Sequence, residues 1–391
     1  MKKIIHWSFL YFPHLGGIST HIDSIVRNIP EYGFEVITNQ IPGTSKVEKY
    51  SDNTQIKRIP PLDYVHFPPK WMKRKYSIPY GVYSEFLRTL KQKRYFQNAD
   101  FDVLHMHETD KNIFNLDIFL NTNIFSKLSC MNYDLDKIKK PKLMTKHFMF
   151  AEGYLHPKFE EWERHSFNSF ENIIFPTKYG YDKYTRYFES TNQEKNVYYI
   201  PNSVDTTYFN YNSLSNDSKL KIGCVARLSP EKGQEFLIEF LKKIPDDVDF
   251  YWACSGSEKM IENLIQIFDK PNIHIFPNFK YEKIHLFYHK FDLLLNSTMI
   301  IANDRVIPES MACGRPVIAI DVGEHCHVQQ DKTGFLIQPD INELMQLINA
   351  IKDDRERLEK MGLNARTLIE NKFSNEVIIP KIKKVYDQIS E

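Results

Sequence analysis

A stretch in the second half of the chain predicts a short helix that leads into a buried strand: Pro308-Glu309-Ser310-Met311-Ala312-Cys313-Gly314-Arg315-Pro316-Val317-Ile318-Ala319. Proline suits the first turn of a helix, where Pro308 stands, and glycine suits the end, where Gly314 stands. Pro316 prevents the helix from continuing, and the apolar run from Val317 is typical of a buried strand. The stretch therefore indicates one helix-to-strand unit of an α/β fold.

The same alternation extends through almost the whole chain. Short apolar runs predict strands, and segments with apolar residues at helical spacing lie between most of them. The runs are Ile4–Phe9, Val36–Thr38, Val103–His105, Leu143–Thr145, Ile173–Phe175, Ile222–Val225, Phe250–Ala253, Ile273–Phe276, Leu293–Asn296 and Val317–Ile320. Because strands that alternate with helices form parallel sheets covered on both faces, the chain is predicted to be an α/β protein.

The length of 391 residues fits two domains. Pro201 interrupts the pattern, and residues 210–218 are polar and without periodicity, as in a linker. A new strand-like run then begins a second βα series. Since ligands of such sheets bind outside the carboxyl ends of the strands, the cleft between two such domains is the expected site.

Composition and charge exclude several classes of protein. Hydrophobic residues make up 42% and charged residues 26%, which is ordinary for globular chains and unlike disordered or collagen-like ones. Lys plus Arg is 51 and Asp plus Glu is 50, so binding to nucleic acid through bulk charge is not expected. No run of about 18 apolar residues occurs. The five cysteines are scattered without a Cys-x-x-Cys pair, which favours a reduced, cytoplasmic protein.

One segment, Lys70–Arg94, is rich in basic residues with interleaved aromatic ones and contains a single acid, Glu85. Two interpretations stand. It is a solvated loop and helix face balanced by acids elsewhere, or it is a surface that meets anionic lipid headgroups or a polyanionic acceptor. The second interpretation adds the inner face of the cell membrane as a peripheral location.

A pair of glycines, Gly16 and Gly17, follows the first predicted strand and precedes a helix. The buried stripe of that helix is predicted to be Ile18, Ile22, Ile25, Val26 and Ile29. Glycine lets the backbone come close to a ligand, and the first turn of a helix offers free N–H groups to an anion. The pattern is not the G-x-G-x-x-G fingerprint, which disfavours NAD as the ligand.

Two basic residues, Arg227 and Lys232, lie across one turn after the first strand of the second series. Such a pair can bind two neighbouring phosphates, although an ordinary surface turn explains the spacing equally well. Glu309 lies in the first turn of the helix that begins near Pro308. The helix dipole favours a carboxylate there, and a carboxylate in a cleft can also accept hydrogen bonds from two vicinal hydroxyls of a ribose or sugar.

Three segments of the chain resemble the retaining glycosyltransferases of family 4. They are the Gly16-Gly17 loop, the stretch from Pro201–Asp205 through Ala226–Gly233, and Pro308–Ala319 with Gly323 and Thr333–Leu336. The resemblance implies the GT-B fold, with two Rossmann-like parallel-sheet domains that face each other across a cleft. It assigns acceptor binding to residues 1–200, sugar-nucleotide binding to residues 201–372, and a helix over 373–391 that packs back on the N-terminal domain.

The resemblance also implies roles for single residues. Arg227 and Lys232 would bind the diphosphate of the donor, Glu309 its ribose hydroxyls, and His147 matches the histidine near the transferred sugar. The implied catalytic residues are His147, Arg227, Lys232 and Glu309. The implied donor-binding residues are Gly16, Gly17, Arg227, Lys232, Gly256, Asn303, Asp304 and Glu309.

One position departs from the family's pattern. The family has a Glu-x7-Glu pair, of which Glu309 is the second acid, and Ile301 stands where the first acid is expected. Asn303 and Asp304 are the nearest polar residues, and a local shift would let them substitute. The departure leaves the identity of the donor sugar open.

The function implied by the resemblance is retaining transfer of a hexose-type sugar from a UDP- or GDP-linked donor, without a metal, to a glycan, glycolipid or polysaccharide. Two alternatives stand beside it: a non-catalytic GT-B subunit that binds a partner or glycan, and a transferase that acts on another acceptor such as DNA. No metal site is expected, because His105 and His107 lack a clustered third ligand. One of these two histidines is expected to line the acceptor side.

Overall fold

The computed structural model describes residues 1–9, 11–13, 16–62, 90–92, 94–108, 135, 138–147, 164, 167–214, 219–301, 304–324 and 327–391. The chain forms two compact units. The first consists of Met1–Pro201 and Ile379–Glu391, and the second of Asn202–Ile378. The predicted segment 373–391 is thus divided between the two units.

The first unit contains one eight-stranded sheet. Its strands are β1 (Lys3–Ser8), β2 (Gly33–Gln40), β3 (Val47–Lys49), β4 (Thr54–Leu62), β5 (Val103–Glu108), β6 (Lys142–Lys146), β7 (Asn172–Phe175) and β8 (Asn196–Tyr199). Its helices include α1 (Gly17–Asn28) and α2 (Lys178–Ser190). The strand order is β3-β4-β2-β1-β5-β6-β7-β8, and every pair is parallel except β3 with β4. The order reverses between β1 and β5, which makes that the switch point where α/β sheets bind ligands.

The second unit contains a six-stranded, wholly parallel sheet in the order β11-β10-β9-β12-β13-β14. Its strands are β9 (Leu220–Arg227), β10 (Val248–Ser255), β11 (Ile273–Pro277), β12 (Leu293–Asn296), β13 (Val317–Ile320) and β14 (Gly334–Ile337). Its helices are α3 (Gln234–Lys243), α4 (Glu258–Ile267), α5 (Ile284–Tyr288), α6 (Val306–Ala312), α7 (Ile341–Ile351) and α8 (Arg355–Lys372). Helix α9 (Asn375–Ile389) begins in this unit and ends in the first. The switch point lies between β9 and β12.

Hydrophobic clusters cover both faces of this second sheet. Alternate residues of β9 point to opposite faces, so Ile222 and Cys224 join one cluster, whereas Val225 packs on the other. The apolar face of α3 packs into one of these clusters, with Phe236, Leu237, Phe240 and Leu241 all buried. The predicted helix-to-strand unit is confirmed as α6 followed by β13, with a left-handed Gly314 (φ 79°) between them.

The buried stripe predicted for α1 is also confirmed at Ile22, Ile25, Val26 and Ile29, and Ile18 is half-buried. Within the residues described, no helix combines the length and the apolar character needed to cross a bilayer. The Lys70–Arg94 segment lies outside the described residues, apart from residues 90–92 and Arg94.

Candidate functional site

The residues predicted to bind a diphosphate lie at the switch point of the second unit. Arg227 is the last residue of β9, and Asn296 is the last residue of β12. A short 3-10 turn, Pro230–Lys232, follows β9. Two hydrogen bonds join this turn to the loop after β12: Ser297 Oγ donates to the carbonyl of Lys232 at 2.7 Å, and Met299 N donates to the carbonyl of Glu231 at 3.0 Å. The turn that follows β9 and the loop that follows β12 are thus held together at the carboxyl ends of these two strands.

Gly233 connects this turn to α3 in a left-handed conformation, with φ 67°. A Cβ atom at this position would lie 2.1 Å from the carbonyl oxygen of Ser297, which is closer than atoms can approach. Glycine is therefore required here both by the backbone angle and by the packing of the two loops. Because glycine has no side chain, Gly233 as the N-cap of α3 gives this helix no side-chain cap.

Lys232 forms an ion pair with Asp304, and the two atoms Nζ and Oδ1 are 2.7 Å apart. The other oxygen of Asp304 accepts from Asn296 Nδ2 at 3.0 Å and from Thr298 Oγ1. Burial by itself would raise the pKa of Asp304, but the charge of Lys232 and these hydrogen bonds hold that pKa below its ordinary value. Asp304 is therefore an ionised anchor that positions the Lys232 ammonium.

Arg227 is the more accessible of the two basic residues. Its side chain is 54% exposed, and its guanidinium lies 3.3 Å from Glu231 one turn later. A surface pair of this kind contributes little to stability. The guanidinium is therefore available to an anionic ligand at little cost.

Glu309 is buried, with 2% of its surface exposed, and its carboxylate accepts hydrogen bonds from three side chains. Tyr281 donates to Oε1 and Tyr288 to Oε2, each at 2.9 Å, and Arg305 Nε lies 3.3 Å from Oε1. Burial raises the pKa of Glu309, although Arg305 and the two hydroxyls act in the opposite direction. A carboxylate offers about four acceptor positions, and side chains of the described residues occupy three of those on Glu309.

The position of the missing first acid is apolar in the structure as well, because Ile301 is buried with 7% exposure. Of the two residues considered as substitutes, Asn303 lies outside the described residues, and Asp304 is held by Lys232. Gly256 directly follows β10, where a Cβ atom would lie 3.2 Å from Leu228 Cβ.

In the first unit, Gly16 and Gly17 stand at the start of α1. Gly16 is the N-cap, with an extended backbone (φ −171°) and no side-chain hydrogen bond to the helix. A Cβ atom at Gly16 would meet no atom of the described residues within 4 Å, its chain neighbours apart. Gly16 therefore satisfies no conformational need of the described fold, unlike Gly233.

His147 follows β6 directly and is 6% exposed. It belongs to a buried cluster of histidines on the face of the sheet that α1 covers: His6, His21, His105, His107 and His147. Two expectations about His105 and His107 are therefore wrong. The first is that one of them lines the acceptor side: both are fully buried, since the alternation of β5 turns them to the face on which His21 of α1 and Tyr386 of α9 pack.

The second wrong expectation is that no third possible ligand lies close to His105 and His107. The ring nitrogens of His6, His105 and His107 lie within 4.8 Å of one another, as do those of His21, His107 and His147. The sequence carried a signal for this cluster. His21 falls on the predicted buried stripe of α1, and His6 alternates with apolar residues on β1.

Sequence reasoning also missed the side chains that donate hydrogen bonds to Asp304 and Glu309. They are Tyr281, Tyr288, Asn296, Thr298 and Arg305. Arg305 alone carried a signal, because it stands four residues before Glu309 and the two face each other on a helix. The tyrosines lie more than twenty positions away in sequence, so only the folded chain brings them together.

Comparison with known proteins gives a consistent family. A family model described as Glycosyltransferase Family 4 matches residues 15–208, and one described as Glycosyl transferases group 1 matches residues 209–368. An uncharacterized glycosyltransferase of Methanocaldococcus jannaschii is 22% identical, over 98% of this chain and 97% of its own. The alpha-1,3/1,6-mannosyltransferase ALG2 of Dictyostelium discoideum is 25% identical, over 95% of this chain and 81% of its own.

Among solved structures, Anabaena HepE in complex with UDP-glucose superposes with a TM-score of 0.69 at 16% identity, over 99% of this chain and 100% of that one. The likeness extends to both sheets, and the two family models between them account for both units of the chain. The protein is therefore a glycosyltransferase of family 4 with the GT-B fold.

Proposed function

We propose that this glycosyltransferase moves a hexose-type sugar from a UDP- or GDP-linked donor to a glycan or lipid-linked acceptor, with retention of the anomeric configuration and without a metal ion. The observation that carries the proposal is the pair of helix starts that bear no side-chain cap, at Gly16 and Gly233, each beside residues predicted to bind the donor.

Other long helices of the described chain begin differently. Helices α2, α4, α7 and α8 are capped by the side chains of Thr177, Ser257, Asp340 and Asp354, which accept a backbone N–H of the first turn. At α1 and α3 the N-cap residue is a glycine, which offers no side chain to these N–H groups, and an anion can take the place of the cap. This contrast supports phosphate binding at these two places.

The charges near α3 fit a diphosphate. Lys232 has three N–H donors, of which Asp304 and Thr298 engage two within the described residues. The exposed guanidinium of Arg227 supplies a planar donor set suited to phosphate oxygens. The carboxylate of Glu309 suits a ribose hydroxyl.

Transfer breaks the bond between the anomeric carbon and the oxygen of the β-phosphate, and the electron pair moves to that oxygen. Arg227, Lys232 and the N–H groups of α3 stabilise the negative charge that develops there. The acceptor hydroxyl forms its new bond on the same face, and its proton passes to the departing phosphate oxygen. The positive groups of the chain thus take the role that a metal fills in other transferases.

Relatives support the proposed class of donor and acceptor. HepE was solved with UDP-glucose, which supports a UDP-linked hexose, and the Dictyostelium relative is a mannosyltransferase. We propose a sugar hydroxyl as the acceptor group, presented by a glycan or a lipid-linked glycan. The Lys70–Arg94 segment remains a predicted contact with anionic lipid.

The test is calorimetric binding of UDP, GDP and their hexose conjugates. One member is expected to bind with micromolar affinity, and Arg227→Ala is expected to weaken it at least tenfold by removing a charged phosphate contact. Lys219→Ala is the matched control, because Lys219 stands at the amino end of the same strand and pairs with Asp249. Equal binding to both variants, or no binding by the wild type, would overturn the donor assignment.

Retention and metal independence need a separate measurement. Transfer is expected to continue in excess chelator, and the product is expected to keep the anomeric configuration of the donor by proton NMR. Loss of activity in chelator with recovery on addition of Mg²⁺ would contradict the metal-free mechanism, and an inverted product would contradict retention.

A further inference from the structure

Three histidines of the buried cluster of five form a continuous row of hydrogen bonds. His6 Nδ1 lies 2.8 Å from His107 Nε2, and His107 Nδ1 lies 3.1 Å from His147 Nε2. His105 stands outside the row, because its Nδ1 contacts the hydroxyl of Tyr386 and its Nε2 contacts that of Thr145, each at 2.7 Å. The row runs from the middle of β1, through β5, to the residue after β6.

His6 and His107 are neutral. Burial, with a smaller contribution from His21, lowers the pKa of His6 to about 3. Burial and the neighbouring imidazoles hold the pKa of His107 well below its ordinary value. A neutral imidazole has one N–H and one lone pair, so each contact in the row joins an N–H of one ring to a lone pair of the next.

Only two proton arrangements satisfy both contacts. In the first, every ring of the row carries its proton on Nε2, and His6 Nε2–H points away from the row. In the second, every ring carries its proton on Nδ1, and His6 Nε2 has only a lone pair. The tautomers of the three rings are therefore coupled. The surroundings of His6 thus bear on which ring nitrogen of His147 carries the proton.

His6 Nε2 is buried and has no hydrogen-bond partner among the residues that the structure describes. A buried N–H without a partner is rarer in proteins than an acceptor without one, and leaving a donor unsatisfied costs about 1–3 kcal/mol. We propose that His6 and His107 are positioning residues that fix His147 in the tautomer with its proton on Nδ1.

The consequence concerns the donor sugar and rests on the proposed function, together with the place beside the transferred sugar that the family resemblance implies for His147. With its Nε2 turned to His107 as an acceptor, His147 carries its proton on Nδ1. It then acts as a hydrogen-bond donor toward a sugar or phosphate oxygen rather than as a base. The row thereby selects ligands that offer an oxygen acceptor at that place.

The same nitrogens could in principle hold a cation, since two sets of three histidines lie close together. The contacts favour the row. Both nitrogens of His107 are engaged by other imidazoles, and both nitrogens of His105 are engaged by hydroxyls. A cation would have to displace these hydrogen bonds, and no carboxylate of the described cluster would offset its charge.

The test reads the tautomers directly, in the free protein. Histidine labelled at both ring nitrogens and a long-range proton–nitrogen correlation spectrum identify the protonated nitrogen of each ring. Nδ1 is expected to carry the proton in His6, His107 and His147, with signals assigned from single-histidine variants. A proton on Nε2 of His147, or stoichiometric metal whose removal changes these signals, would overturn the proposal.

Variants then separate positioning from packing. His6→Leu is expected to release His147 into a mixture of tautomers and to lower kcat/KM about tenfold, the value of one oriented hydrogen bond. His6→Asn places an amide N–H near the position of Nδ1 and is expected to restore both readouts. His105→Leu, equally buried but outside the row, is expected to change stability without changing the tautomer of His147.

An unchanged His147 signal in His6→Leu would contradict the inference even if activity fell. The failure of the proposed function would look different. If no sugar nucleotide binds while the three rings carry Nδ1 protons, the coupled row stands and the donor assignment falls.

Discussion

Lys232 and Asp304 show how one residue pair serves two purposes. The ammonium keeps a buried carboxylate ionised, and the carboxylate, fixed by Asn296 and Thr298, holds the ammonium at the end of β12. The side chains are only 19% and 13% exposed, so solvent screens the pair weakly. Removing either charge alone leaves the other buried without its counter-charge.

We therefore expect Lys232→Met to lose both stability and activity. The free energy of unfolding should fall toward the lower end of the roughly 3–5 kcal/mol typical of breaking a buried pair. Transfer should fall by about 10²–10³ in kcat, as for the loss of one group that stabilises a developing anion. The double variant Lys232→Met/Asp304→Asn should regain most of the stability and none of the activity.

Urea unfolding and initial rates at saturating donor measure the two effects. Lys352→Met provides the control, since Lys352 pairs with Asp247 at the surface and its loss should leave the urea midpoint nearly unchanged. Recovery of transfer in the double variant would show that Lys232 is not a ligand of the diphosphate.

At the scale of elements, the turn from β9 into α3 depends on a glycine, and the turn into α1 does not. Gly233→Ala forces a left-handed residue with a side chain against the carbonyl of Ser297. Strain of this kind costs about 1–3 kcal/mol. We expect a lower melting temperature and loss of transfer, because the displaced turn carries Lys232.

Gly16→Ala is the matched variant. Its extended backbone suits alanine, and a Cβ atom there meets no atom of the described residues within 4 Å, its chain neighbours apart. The melting temperature should stay constant or rise slightly, as for other tolerated Gly-to-Ala changes, while sugar-nucleotide binding should weaken because the methyl group covers the start of α1. Unimpaired binding in Gly16→Ala would remove Gly16 from the donor site.

Most of the strands that the sequence predicts are buried on both faces. Runs such as Ile222–Val225 and Val317–Ile320 lie inside the sheet of the second unit and are apolar. The strands β3, β4, β8 and β14 are not among those predicted. Two of these, β3 and β8, are edge strands with exposed or half-buried residues, and β4 hides a charge: Arg58 is buried, and Glu48 and backbone carbonyls bind it.

The residues of the candidate site also fall into those that local sequence predicts and those that it does not. Arg227, Lys232 and Glu309 stand next to recognisable turns and helix starts, so local sequence predicts them. The network around Glu309 and the row of histidines arise from residues far apart in the chain, and only the strand order brings them together. His6 and His107 reach each other because β1 and β5 are neighbours across the switch point.

At the scale of the whole chain, the second half of helix α9 packs on the first unit. Tyr386 is fully buried and contacts His105, and Asp387 forms an ion pair of 2.7 Å with Lys2 and accepts a hydrogen bond from Tyr32. These hydrogen bonds lower the pKa of Asp387 to about 2. The carboxylate is therefore more acidic in the folded protein than in the unfolded chain.

This shift has a definite sign. A depressed pKa stabilises the fold above the ordinary carboxyl pKa, and that contribution disappears as the pH falls from about 4 to about 2. We expect Asp387→Asn to have a lower urea midpoint than the wild type at neutral pH, and the difference should shrink through that window. Because the side chain is 37% exposed, solvent moderates the effect. The exposed Asp269→Asn serves as the surface control. A gap between Asp387→Asn and the wild type that stays constant down to pH of about 2 would mean that Asp387 does not titrate against Lys2 and Tyr32, and that packing alone holds the last helix on the first unit.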